Sequence, residues 1–113
     1  MLSVHAPSSP VDHLLKALAD PTRRFVFEEL VAGERSVAAL TSLVDVSQPA
    51  VSQHIAVLKG AGLLSERKNG RSTLYRADLH ALAPLTDWIA LQSQFWRTAL
   101  GRLDETLKEI DDE

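Results

Sequence analysis

The stretch V-S-Q-P-A-V-S-Q-H-I, Val46 to Ile55, decides how the chain is read. Ser47 offers an N-cap oxygen. Pro49 falls in the first turn, where a φ of about −65° is already helical and no intrahelical donor is lost, so the proline starts a helix and does not break one. Val51, Ile55 and Leu58 then recur at the i, i+4, i+7 spacing of a buried stripe, and Gly60-Ala61-Gly62 closes the helix. Around the wheel Gln53 lies opposite that stripe, with Ser52 and His54 on its flanks and Gln48 in the first turn. A solvated face would normally carry Lys and Glu. Small hydroxyl and amide side chains near a helix N-terminus suit hydrogen bonds to base edges and phosphates, which a carboxylate would repel.

Upstream, Ser36 is the cap expected for a third short helix with Val37, Leu40, Leu43 and Val44 on one face. Only a few residues around Asp45 and Val46 separate it from the fourth helix, which is the spacing of a helix-turn-helix. Before it, Leu14, Leu15 and Leu18 predict a short amphipathic helix ending near Asp20. Pro21 starts the next, which carries Phe25, Val26, Leu30 and Val31 and stops near Gly33. Residues 1–11, with two prolines, three serines and no helical period, read as a mobile arm, leaving 12–113 as one domain.

Downstream, Leu63 to Lys68 and Arg71 to Arg76 read as strands joined by Asn69-Gly70, a two-residue hairpin signal of the type I′ kind. A two-stranded hairpin is marginal alone, so Leu64 and Leu74 are expected to pack it on the helices and leave its tip projecting. Arg67, Lys68, Arg71 and Arg76 crowd around it. Helix-turn-helix and basic hairpin together predict a winged helix: a mainly helical fold with a small β-hairpin wing. Its recognition helix suits a major groove, and its wing an adjacent phosphate or minor groove.

The net charge of −3 looks unsuited to a phosphate-rich partner, but it is unevenly spread. Residues 1–45 hold four basic and six acidic side chains, residues 46–76 five and one, and residues 77–113 three and eight. A basic middle between acidic ends implies a local polyanion-binding face. Without cysteine, disulfides, thiolate metal sites and thiol redox sensing are excluded. No apolar run reaches bilayer length and the N-terminus lacks the pattern of a signal peptide, so a soluble cytoplasmic protein with no membrane partner is expected.

Asp78 is placed to cap a turn beginning at Leu79, and Pro84 to start a long helix. Along that helix Leu85, Trp88, Ile89, Phe95, Trp96, Leu100, Leu103, Leu107 and Ile110 follow a helical period, the last five members from Trp96 onward alternating steps of four and three. Such a stripe exceeds what one small core covers. It is read as a homodimer interface, with the first helix as its companion: Leu14, Leu18, Trp88, Phe95, Trp96, Leu100 and Leu103 are the expected contacts.

Three blocks in order, L-A-D-P-T-R-R at Leu18 to Arg24, S-Q-P-A-V-S-Q-H-I-A-V-L-K-G-A-G-L at Ser47 to Leu63 and N-G-R-S-T-L-Y-R at Asn69 to Arg76, resemble the ArsR/SmtB-type winged-helix transcriptional repressors over roughly residues 12–100. The resemblance implies a homodimer built from the first and last helices, bound to a double-stranded DNA operator and repressing its own or a neighbouring gene. Ser47 to Lys59 corresponds to the family's recognition helix and Asn69 to Thr73 to its wing. The DNA contacts expected on these grounds are Ser47, Gln48, Ser52, Gln53, His54 and Lys59 on the helix, and Arg67, Lys68, Asn69, Arg71 and Thr73 on the hairpin.

Many members of that family sense metals. The third-helix cysteine motif cannot exist here. Of the last-helix zinc pattern, D-x-H followed by H-x-x-E, Asp78 and His80 match the first half while Leu91 and Gln94 replace the second. Zinc wants about four ligands, so neither a metal nor another cofactor is expected; a non-standard site drawing on His5 or His13 is the alternative. An enzyme is disfavoured, since there is no cysteine nucleophile, no phosphate-cradling glycine loop and no Ser/His/acid constellation. A winged-helix module binding protein instead of DNA is the remaining competitor, because fold does not fix function.

Overall fold

The structure, a computed structural model, describes residues 9–111. Its elements run α1 (Pro10–Ala19), α2 (Pro21–Ala32), α3 (Val37–Thr41), α4 (Gln48–Gly60), β1 (Leu64–Asn69), β2 (Ser72–Ala77), a 3₁₀ turn (Leu79–Leu82) and α5 (Ala83–Asp111). Helix α1 begins inside the stretch expected to be an arm: Ser9 caps it through the backbone N–H of Asp12, and the Asp12 carboxylate returns a bond from the Ser9 N–H. This reciprocal box satisfies two donors that a helix start otherwise leaves open. The rest of the expected arm, residues 1–8, lies outside the described residues.

Consecutive caps then set the turns. Asp20 accepts from the Arg23 N–H at 2.9 Å to open α2, Ser36 accepts from Ala39 at 3.1 Å to open α3, and Ser47 accepts from Ala50 at 3.3 Å to open α4. Helix α3 is shorter than the spacing of Leu43 and Val44 implied. Thr41 donates its hydroxyl to the Val37 carbonyl and Ser42 to that of Ala39, local bonds of the kind that compete with helix continuation. Leu43 is left exposed in the connection to α4, while Val44 packs partly against the core. Helix α4 ends in a Schellman arrangement. Gly62 takes φ +78°, its N–H bonds the Lys59 carbonyl and the Leu63 N–H that of Leu58.

One core holds these elements, formed by Leu14 and Ala17 of α1, Val26, Phe27 and Leu30 of α2, Leu40 of α3, Val51, Ile55 and Leu58 of α4, and Leu63. Within α2 the buried face is shifted from the one expected: Phe25 and Val31 are exposed and Phe27 takes their place. Leu14 is 2% exposed, so this expected interface residue is a core residue. Leu18 also packs against the core.

Strands β1 and β2 pair antiparallel from Leu64↔Ala77 to Asn69↔Ser72. The two turn residues are therefore Gly70 and Arg71, one position later than the Asn69-Gly70 reading. Gly70 has φ +65° and no described non-glycine residue has positive φ, which fits a II′ and not a I′ turn. The hairpin is anchored by Leu64 and Tyr75, which pack on the core, whereas Leu74 is half-buried outside it. A further strand-like bridge was not foreseen: Arg35 and Tyr75 exchange both backbone bonds, at 3.0 and 2.9 Å.

Helix α5 contacts α1 and then runs on, with no buried residue along its 29 positions. Phe95 and Trp96 are 65% and 62% exposed, in edge-to-face contact at a centroid distance of 6.2 Å. No helix among the described residues is long and apolar enough to cross a membrane.

Candidate nucleic-acid interface

With Val51, Ile55 and Leu58 committed to the core, α4 turns Gln48, Pro49, Ser52, Gln53, Ala56 and Lys59 to solvent. These positions form one strip along the helix, and no carboxylate lies on it. Ala56 was not among the expected contacts, although it sits one turn beyond Ser52 and its small side chain keeps the strip low. A helix period projected from Ser52 and Gln53 would have found it. Ser47 stands at the positive end of the helix dipole with its oxygen engaged as the cap. His54 is half-buried on the flank, with Nδ1 3.4 Å from Nη1 of Arg23.

The hairpin brings its tip toward the start of α4. Gln48, Arg71, Thr73 and Tyr75 line one open cleft of about 310 Å³ with Ser36 to Ala38 and Ser72. Gln48 and Arg71, distant in sequence, thus share a surface. Exposed Arg71 lies in the turn and forms no ion pair among the described residues. Lys68 donates to the Thr73 hydroxyl across the register at 3.1 Å, and Asn69 is exposed beside the turn.

Two of the expected cations are already engaged. Arg67 pairs with Glu34 at 2.6 Å, and Lys59 pairs with Glu66. Each acid's hydrogen bond raises its partner's proton affinity, and the Arg67 bond in turn holds the Glu34 carboxyl below its ordinary value. Counting charge along the segment treated all its cations as equivalent; the fold pairs two of them.

Among the described residues no cluster of three or more His, Cys, Asp or Glu is placed to hold a metal. Asp78 spends its carboxylate on the backbone N–H of His80 at 3.1 Å, capping the 3₁₀ turn. His5 lies outside the described residues.

Comparison with known proteins matches this geometry. A helix-turn-helix domain model covers residues 18–67. The HTH-type transcriptional regulator Rv2034 of Mycobacterium tuberculosis is 42% identical over 89 residues, 79% of this chain and 80% of that protein. The arsenical resistance operon repressor of Escherichia coli K12 is 40% identical over 101 residues, 86% of this chain and 81% of that protein. The chain belongs to the ArsR/SmtB family. As a member it is a DNA-binding transcriptional repressor with a winged helix-turn-helix fold. Among solved structures, the homodimeric winged helix-turn-helix DNA-binding domain Mb0332 of Mycobacterium bovis aligns with a TM-score of 0.60 at 26% identity, over 79% of this chain and 90% of that one. In this winged helix-turn-helix fold α4 is the second helix of the helix-turn-helix and the β1–β2 hairpin is the wing.

Proposed function

We propose that the protein is a homodimeric autorepressor or neighbour-gene repressor acting in the cytoplasm by occupying a pseudo-palindromic operator, with no catalytic step. The observation that carries this reading is the carboxylate-free strip on α4 beside the Gln48–Arg71 cleft. In this reading Gln48, Ser52, Gln53 and Ala56 face base edges. Amides and hydroxyls donate and accept there, and the Ala56 methyl suits a thymine methyl. Ser47 and His54 sit at the margin, near phosphates. The wing contact rests on Arg71, with Lys68, Asn69 and Thr73 beside it. Arg67 and Lys59 contribute less, because each must first leave an acid.

Dimerisation follows from α5. Among the described residues fourteen large apolar side chains are exposed, and nine of them lie on α5, from Trp88 to Ile110. That amount of apolar surface on one helix is far more than a monomer normally leaves to water. The homodimeric state of the Mycobacterium bovis neighbour supports the same conclusion. Trp88, Phe95, Trp96, Leu100 and Leu103 are its proposed contacts. Two-fold symmetry then sets two recognition helices about 34 Å apart, one turn of DNA.

Fluorescence anisotropy of the full chain on its own upstream region and on random DNA of equal length, at several salt concentrations, tests the proposal. Tight binding confined to the upstream DNA, with a steep salt slope, is expected. Weak and equal binding to both would overturn the autorepressor reading.

A further inference from the structure

The first turn of α2 does more than begin a helix. Arg23 reaches back over the end of α1, Nε donating to the Ala17 carbonyl and Nη2 to the Lys16 carbonyl at 3.2 Å. Arg24 adds a bond to the Leu18 carbonyl at 2.9 Å. These are carbonyls that α1, ending at Ala19, leaves without intrahelical partners. The remaining donor of the Arg23 fork, Nη1, lies 3.4 Å from Nδ1 of His54 on α4. One planar guanidinium therefore joins the last turn of α1 to the middle of the recognition helix. Both side chains are half-buried, which limits replacement of these bonds by water.

We propose that Arg23 is a positioning residue for DNA reading, fixing the His54 ring with Nδ1 as acceptor and Nε2–H as donor, and coupling that donor to the end of α1. A guanidinium has donors and no acceptor, so Nδ1 accepts and the ring proton of the neutral imidazole sits on Nε2. Asp20 fixes the base of the arrangement. Its carboxylate accepts from the Arg23 N–H at 2.9 Å, and it is held below its ordinary value chiefly by that bond. The planar fork is what allows one side chain to serve two carbonyls and a ring at once; a lysine ammonium, a point charge on a flexible stem, does not span all three. The functional consequence rests on the proposed DNA contact of α4. Because α1 packs against α5, the element proposed to dimerise, any shift of α1 in the dimer moves the group that holds a DNA-facing donor.

The test has two arms. Long-range ¹⁵N–¹H correlation spectra of the histidine rings, on the full chain without DNA, should show His54 Nδ1 as an unprotonated, hydrogen-bonded nitrogen. Arg23→Ala should move it toward the solvent-averaged mixture while His13 and His80 stay in place. A protonated Nδ1 in the native chain, or no change in the variant, overturns the proposal even if the protein binds DNA as expected. In the second arm, Arg23→Ala should weaken upstream-DNA binding about three- to tenfold, the scale of one hydrogen bond. That loss should largely vanish in a His54→Ala background. An equal loss in both backgrounds would make Arg23 a prop for α1 alone. Should Arg23→Ala not fold, Arg23→Lys keeps the charge, is expected to show the same Nδ1 change, and is read by the same criteria. Failure of all DNA binding would refute the proposed function and leave the spectroscopic arm to decide the tautomer.

Discussion

Arg67 Nε donates to Glu34 Oε2 over 2.6 Å, tying the middle of β1 in the wing to the segment between α2 and α3. Residue 35, immediately after that acid, exchanges two backbone bonds with Tyr75 of β2, so the ion pair and the bridge brace one corner. The pair positions the hairpin but withholds a cation from any polyanion that approaches it. Glu34→Gln keeps an acceptor for the guanidinium and removes the charge. DNA affinity of this variant should rise on operator and random DNA alike, with log K falling more steeply against log salt by about one unit. Anisotropy titrations over a range of salt check this; an unchanged slope would mean that Arg67 stays out of the DNA contact altogether.

Arg71 makes the complementary case. It occupies the second position of the hairpin turn, is exposed, and shares a cleft with Gln48. Arg71→Ala should weaken specific and random DNA binding together and flatten the salt slope by about one unit. Arg67→Ala should do less, since the lost cation was already paired. Gln53→Ala should behave in the opposite way, costing about 1–3 kcal/mol of discrimination on the upstream DNA with little change on random DNA. Loss of equal size on both DNAs for Gln53→Ala would remove it from the base readers.

Local signals and long-range ones differed in how far they could be read from sequence. The caps at Ser36 and Ser47 and the glycine at Gly62 act within four residues, and each lies where its residue type predicts. Apolar period was enough for the Val51, Ile55, Leu58 stripe but not for Leu14. Periodicity marks that position as apolar and is silent on whether it meets its own core or a partner. Helix α3 ends at Thr41, where the hydroxyls of Thr41 and Ser42 bond local carbonyls, although Leu43 and Val44 continue the apolar period. The turn shifted by one residue because pairing fixes register, and Asn69-Gly70 alone cannot say which side of Gly70 the strand resumes. Single-residue features such as the Arg35–Tyr75 bridge, and side-chain links over tens of residues such as Arg67–Glu34 and Arg23–His54, leave no periodic trace. The carboxylate-free strip on α4 was legible; which cations stay free beside it was not.

The Asp20 cap makes a pH prediction. Its carboxyl is held below the ordinary value of 3.8, first by the backbone N–H of Arg23. A depressed folded-state value means that the cap's contribution is fully present above the unfolded value and is lost as pH falls through the folded one. Thermal unfolding followed from pH 7 downward should therefore show this contribution constant to about pH 5 and disappearing below about pH 4. Asp20→Asn retains a cap oxygen that cannot titrate. Its melting temperature should match the native value well below pH 4 more closely than at pH 7, and an acid slope identical to that of the native chain would show that the cap is not the titrating element.

Core and interface can be separated by dependence on protein concentration. Leu14, 2% exposed, contacts the monomer's own core, whereas Leu103, 54% exposed, faces outward on α5. Leu14→Ala should cost about 2–5 kcal/mol of stability through lost burial and a cavity. That cost belongs to the fold of each chain and should appear at any protein concentration at which the native dimer is intact. Trp96→Glu places a charge in the proposed interface. It should leave the far-ultraviolet spectrum of the folded chain in place while weakening the dimer at least tenfold, by about 1.4 kcal/mol or more. Sedimentation equilibrium over a concentration series distinguishes the two. If Trp96→Glu remained as dimeric as the native chain, the α5 stripe would have to be covered by something other than a second copy around this position, and the operator symmetry argued from it would lose its basis.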